Sequence, residues 1–510
     1  MSIDKSGINN KGNIDWLITL FPLALVIFMC VLFYFQPEKS NIVLSQIRFL
    51  LGDTLGVYYL AIGLGVFILT LYVAVSKYGD IILGDKKEKP QYSFFEWGSM
   101  MFTAGLAADI LFYSFSEWIL YAMDPHIKEM GSVQDWASVY PLFHWSLIPW
   151  GFYLMLAVAF GFMLHVRKRN RQKYSEACRP ILGRYTDGII GRLIDLLAVF
   201  ALLAGTATTF SLATPLMASI INQVFSLDMS RTALTIGILL VTCIVYTYSL
   251  LHGFRGISFL ANSCIYMFFV ILLYVLLFGG ETRYIIETGF SALGRMLQNF
   301  FELATYTDPQ RTTSFPQNWT IFYWAYWMVW CVASPFFIGT ISKGRTVRQT
   351  ILGGYVFGAG ATIVSFIVLG NYSLGLQISS TVDFISMYKA SGDLYSVIIS
   401  MIMALPCANV VLFCVLLNMI MFYATSFDSI ALIGSCYSYK NLESDMQPHR
   451  LIQLMWCLLL IMLPIALVFS DSSMSNLQSV SIIAAFPIGA IILMIAISFL
   501  KDARDYMKLL

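Results

Sequence analysis

"WTIFYWAYWMVW" runs from Trp319 to Trp330, and seven of its twelve residues are aromatic. With the apolar residues that follow, up to Ile341, it is long enough to cross a bilayer as a helix. Rings gather where a bilayer meets water, so the first reading of the stretch is membrane filler. The second is a cage that holds a cation on ring faces instead of on a counter-charge. The rest of the chain has to choose between them.

Working outward, the whole chain is of the same kind. Its 510 residues are 58% hydrophobic and 12% charged. Few soluble folds tolerate that balance, whereas an all-α polytopic membrane protein requires it. A formal net charge of +2 implies no nucleic-acid partner. The nine cysteines are scattered, form no CxxC and read as reduced and structural. The five histidines make no HExxH and no cluster, so neither a metal nor another cofactor is expected. No cleavable signal is evident, because the first apolar run, from Trp16, is already long enough to span.

Twelve apolar segments predict twelve transmembrane helices, at 15–35, 54–75, 93–121, 140–165, 193–221, 233–251, 256–279, 319–341, 350–369, 407–435, 451–469 and 477–499. Only helices or closed barrels satisfy their backbone in lipid, and these runs have helical length. The third and tenth are long, which predicts tilt or a break. With the N-terminus inside, 23 of the 31 basic residues fall on the cytoplasmic side and 8 outside. Both termini are therefore expected in the cytoplasm. Two outer stretches, Tyr284–Phe301 and Leu394–Leu405, have amphipathic patterns and read as helices lying along the surface. The tail after Phe499 is too short for a sensor domain.

Three carboxylates lie within spans: Asp109, Glu117 and Asp428. A charge at the bilayer centre costs at least about 2.5–3.5 kcal/mol, so each is a site candidate. Glu117, near the outer end of its span, reads as a helix anchor. Asp428 sits in the polar patch "ATSFDS" (Ala424–Ser429), which can satisfy it. Asp109 follows a run of small residues, "TAGLAAD" (Thr103–Asp109), near mid-helix, where the helix can open. Pro149 removes the donor for the carbonyl of Trp145 and predicts a kink in the fourth span. Around it stand Trp145, Trp150 and Tyr153; the eighth span carries Tyr326, Trp327 and Trp330. Either cluster alone is more often packing. Two in mid-span beside small-residue breaks favour a cage, whose usual guest is a quaternary ammonium.

"FHWSLIPWGFY" (Phe143–Tyr153), "NWTIFYWAYWMVW" (Asn318–Trp330) and "ISKGRTVR" (Ile341–Arg348) resemble signatures of the betaine/choline/carnitine transporter family, over about residues 15–505. "SLATPL" (Ser211–Leu216) is similar to the carnitine/γ-butyrobetaine antiporter branch. The resemblance implies a LeuT-type core of two inverted five-helix repeats after two extra helices, with substrate at the midplane. In this sequence that places a cytoplasmic N-terminus at 1–14 and two peripheral helices at 15–92. The first repeat is 93–279, an extracellular amphipathic segment 280–318, the second repeat 319–499, and the cytoplasmic C-terminus 500–510. It also implies a homotrimer in a bacterial inner membrane. The substrate cage would be Trp145, Trp150, Tyr153, Tyr326, Trp327 and Trp330, with Trp319 matching an outer, transient site.

Departures from the family pattern bear on coupling. Position 326 is usually Trp, and Thr340 replaces an Arg. The antiporter's Gln near Ala333, its Met at Ser334 and its sodium-replacing Arg at Ala261 are all missing. Thr425 and Ser426 match hydroxyl ligands of a sodium site in glycine betaine symporters, with backbone near Thr103 and Leu106. Asp109 stands where the sodium-coupled pattern "GMGIG" has glycine, which resembles the "GMGID" of proton-coupled choline transporters. The expectation is a secondary transporter, not an enzyme, that imports trimethylammonium compounds with protons. Sodium-coupled betaine symport and ion-independent exchange are the alternatives.

Overall fold

The computed structural model describes residues 14–509 except 105–107, 170, 253–256, 441, 443–447 and 470–473. At 246, 248–252, 257–262, 424, 425, 428, 429, 469 and 474–477 it describes the backbone alone. Among the described residues there is no β-strand, only two isolated bridges, Ile14 with Tyr439 and Ile82 with Thr346.

Each of the twelve apolar segments is helical. The first two are α1 (Trp16–Phe35) and α2 (Val57–Val75). The third is two helices, α3 (Phe94–Ala104) and α4 (Ala108–Met123), inclined at 63°. The fourth is α5 (Val139–His144) and α6 (Leu147–Gly161). There follow α7 (Ile189–Phe225), α8 (Arg231–His252), α9 (Ile257–Phe278) and the surface helix α10 (Thr282–Gln298). The eighth segment is α11 (Ile321–Trp330) and α12 (Ser334–Ile341), bent by 56°. The ninth runs from Val347 to Ile378 with π-helical turns at Gly354–Ala359 and Phe366–Gly370. Last come α13 (Ala408–Tyr437), α14 (Arg450–Phe469) and α15 (Met474–Met507). Among the described residues, seven helices suffice by length and composition to cross a membrane, or up to ten when each bent pair counts as one. Arg231–Val245 and Ala408–Tyr423 are shorter apolar stretches where the sixth and tenth segments were expected.

The breaks have chemical causes. Pro335 sits in the first turn of α12, where its missing N–H is harmless, but it disfavours helix at the residues before it. Pro149 sits in the first turn of α6 and cannot bond the Trp145 carbonyl. That carbonyl instead accepts a hydrogen bond from the Thr362 hydroxyl at 2.6 Å. The expected kink is thus a full break whose orphan acceptor is satisfied by the ninth segment. The tenth segment, expected to tilt or break, is one continuous helix. The tail after Phe499 is a continuation of α15 to Met507, where Asp502 pairs with Arg167 at 2.7 Å and with Arg169.

Burial sorts the helices. The apolar stretch of α1 is 28% buried, whereas that of the fourth segment is 94% buried. An all-apolar helix is either lipid-facing or central, and these are the two extremes. The fourth segment is fastened to α12 by close backbone approach: a Cβ on Gly339 would lie 2.7 Å from the carbonyl oxygen of Ala157. The helix α6, with Trp150 and Tyr153, is thereby held against α12, the helix that follows α11 and its rings.

Candidate functional site

Trp327 is the hub of the rings. Its centroid lies 4.9 Å from Tyr153, 5.6 Å from Trp145 and 6.2 Å from Trp150. Tyr326 reaches Trp145 at 6.4 Å. Five of the six expected rings therefore converge, and each is at most 4% exposed. Trp330 stands apart. It is half-buried, has no ring partner among the described residues, and faces Gly205, where a Cβ would come 3.5 Å from its Nε1.

Two of the indoles are pinned at their N–H edges. The Trp145 Nε1–H donates to Glu117 Oε2 at 2.7 Å, and the Trp327 Nε1–H donates to the carbonyl of His144 at 3.1 Å. Trp150 lies against Gly358 in a π-helical turn, where a Cβ would come within 2.0 Å of the indole. Trp324 points away from the cage, against Phe143, His144 and Gly63, and is fully buried.

Asp109 is 2% exposed and accepts a hydrogen bond on Oδ2 from the Tyr326 hydroxyl. That hydroxyl also lies 2.5 Å from Thr209 Oγ1 on α7. Asp109 Oδ1 has no partner among the described residues. The two departures at 109 and 326 thus form one contact between a carboxylate and a cage ring. Of the oxygen set expected for sodium, Leu106 and the side chain of Thr425 lie outside the described residues, as does that of Asp428. Ser426 is half-buried, and Thr103 directs its hydroxyl to the carbonyl of Met100 in its own helix.

Trp319 sits apart from the cage, half-buried, with its Nε1–H 3.3 Å from Asp124 Oδ2 and its ring edge-on to Tyr121 at 5.3 Å. Nearby, burial pushes His126 down to about 4, so the imidazole that stacks on Tyr306 at 4.5 Å is neutral.

The reading of Glu117 as a helix anchor is too weak. It is fully buried and accepts from Tyr121 and Trp145, with His144 Nδ1 at 3.8 Å. His144, read as one of several dispersed histidines, bonds Tyr121 at 2.7 Å and Thr320 at 3.0 Å and stacks on Tyr323 at 4.7 Å. The sequence signal was available in two places: Glu117 and Tyr121 are one helical turn apart, and His144 directly precedes Trp145.

The whole length of this arrangement has counterparts elsewhere. Residues 17–508 match the family model described as "BCCT, betaine/carnitine/choline family transporter". The chain belongs to this family. It is 27% identical over 446 residues to a protein of Acinetobacter baumannii named carnitine transporter, covering 86% of this chain and 80% of that one. It is also 27% identical to the glycine betaine transporter OpuD of Bacillus subtilis, over 98% and 96% of the two chains. With the osmo-dependent choline transporter BetT2 of Acinetobacter baylyi it shares 26% identity, over 95% and 71%. This transporter is therefore a multi-pass membrane protein of a family whose named members carry three different trimethylammonium compounds.

Proposed function

We propose that this transporter imports a quaternary ammonium compound by alternating access, with Trp145, Trp150, Tyr153, Tyr326, Trp327 and Trp330 as the substrate site and Trp319 as an outer, transient one. The observation that carries the reading is the convergence of five buried rings, with the indoles of Trp145 and Trp327 held at their N–H edges. A desolvated cation over such faces gains about 2 kcal/mol or more. Repeats at 93–279 and 319–499, a homotrimer, an inner-membrane location and cytoplasmic termini belong to the same proposal.

Coupling is assigned to protons. Asp109 is joined to the cage through Tyr326, and its second oxygen is unpartnered among the described residues. The same carboxylate favours a substrate of full positive charge, such as choline, over a zwitterion. Uptake into liposomes with one imposed gradient at a time tests this. An inward proton gradient should drive accumulation without sodium, and Asp109→Asn should lose the drive while still exchanging substrate. Accumulation that needs sodium and ignores Asp109→Asn would move the coupling to Thr425, Ser426 and the backbone near Thr103 and Leu106. Accumulation under neither gradient would make the protein an exchanger. A binding screen with choline, glycine betaine, carnitine and γ-butyrobetaine names the substrate.

A further inference from the structure

Glu117, Tyr121, His144 and Thr320 form one unbroken buried chain that the cage does not require. Glu117, Tyr121 and His144 have no more than a trace of exposure, and Thr320 is 2% exposed. In order, Trp145 Nε1 meets Glu117 Oε2 at 2.7 Å, Glu117 Oε1 meets the Tyr121 hydroxyl, that hydroxyl meets His144 Nδ1 at 2.7 Å, and His144 Nε2 meets Thr320 Oγ1 at 3.0 Å. One end is a wall of the cage. The other lies beneath Trp319, the next residue along, whose ring rests on Tyr121.

We propose that this chain is a proton relay, distinct from Asp109, that binds one proton and uses it to loosen Trp145. The hydrogen-bond inventory allows two complete arrangements. In the first, Glu117 is ionised and accepts from both Trp145 and Tyr121. Tyr121 accepts from His144 Nδ1–H, and the Thr320 hydroxyl donates to His144 Nε2. In the second, one proton has been added. His144 Nε2 takes it at the Thr320 end; the Nδ1 proton passes to the Tyr121 oxygen; the Tyr121 proton passes to Glu117 Oε1. Every hydrogen bond from Glu117 to Thr320 now runs the other way, while Trp145 still donates to Glu117; Thr320 has become an acceptor, and Glu117 is neutral. The charge has left the wall of the cage, although the proton was taken up at the other end.

The consequence falls on Trp145. A hydrogen bond to a charged acceptor is roughly twice as strong as one between neutral groups. Protonation therefore weakens the hold on an indole that packs against Trp327 at 5.6 Å and Phe366 at 5.2 Å. The described groups that face Glu117 include no fixed cation. Tyr113, Tyr121 and Asp109 share its helix, His144 and Trp145 come from the fourth segment, and Tyr323 comes from α11. No lysine or arginine pairs with Glu117 among the described residues. The relay does not rest on proton coupling at Asp109, because it acts on substrate affinity even when no gradient is imposed.

The test uses the full transporter in detergent. Choline binding, followed by intrinsic fluorescence, should vary with pH in the wild-type protein. Glu117→Gln and Tyr121→Phe should each weaken binding severalfold and flatten that pH dependence, the second by removing a single oxygen. Asp109→Asn should leave the relay's part of the profile in place. Infrared difference spectra should contain the carbonyl band of a protonated carboxyl that vanishes in Glu117→Gln and persists in Asp109→Asn. A wild-type pH profile in either relay variant, or a carboxyl band that belongs to Asp109 alone, overturns the proposal.

Discussion

Two carboxylates, Asp109 and Glu117, lie on one helix, α4, about two turns apart, and both are buried. Each supports one ring of the cage, yet their surroundings differ. Glu117 has both oxygens bonded, to Trp145 and to Tyr121. Asp109 has one oxygen bonded, to Tyr326, and the other without a partner among the described residues. A buried polar group that is fully satisfied fixes a structure, whereas a half-satisfied one carries a desolvation cost that a ligand or proton can relieve. By that difference Glu117 is the more firmly held of the two.

The strongest way to break this comparison is truncation. Glu117→Ala leaves the buried Trp145 Nε1–H without an acceptor and should cost about 3 kcal/mol, more than Asp109→Ala, which leaves the Tyr326 hydroxyl still paired with Thr209 and should cost about 1 kcal/mol or less. Thermal unfolding in detergent with equal losses for the two would erase the distinction. Next in size is the ring between the two supports. Trp327→Leu should weaken substrate binding by about 2 kcal/mol, roughly 30-fold, as the cation loses a ring face. Normal binding in that variant would return all the rings to packing, and Trp327→Phe should recover part of the loss. Trp324→Ala is a poor control, because a fully buried indole removed from the core costs about 3–5 kcal/mol of stability. Trp324→Phe should bind substrate within about twofold of the wild type, since the residue faces Phe143 and Gly63. The finest cut is Tyr326→Phe, which keeps a ring and removes only the hydroxyl. It should cost about 1 kcal/mol or less in binding and should shift the gradient dependence of uptake. Unchanged gradient dependence would mean that Asp109 acts without Tyr326.

Amino-acid order alone determined the helical, membrane-spanning class, because apolar runs of bilayer length leave the backbone no other way to satisfy itself. It also determined the six cage residues as candidates and Asp109 as the acid to watch, since ring clusters and a carboxylate within a span are local signals. It could not show that Trp330 stands off from the other five, because packing decides which rings of α11 meet Trp145, Trp150 and Tyr153 and which one faces Gly205 on α7. Nor could it show that the departures at 109 and 326 are one hydrogen bond between residues 217 apart, or that Thr362 answers the carbonyl freed by Pro149. Glu117 and His144 were undervalued for the same reason. Their chemistry lies in partners from three segments of the chain, and only tertiary packing, which removes water from all of them together, turns an acid, a phenol and an imidazole into one chain.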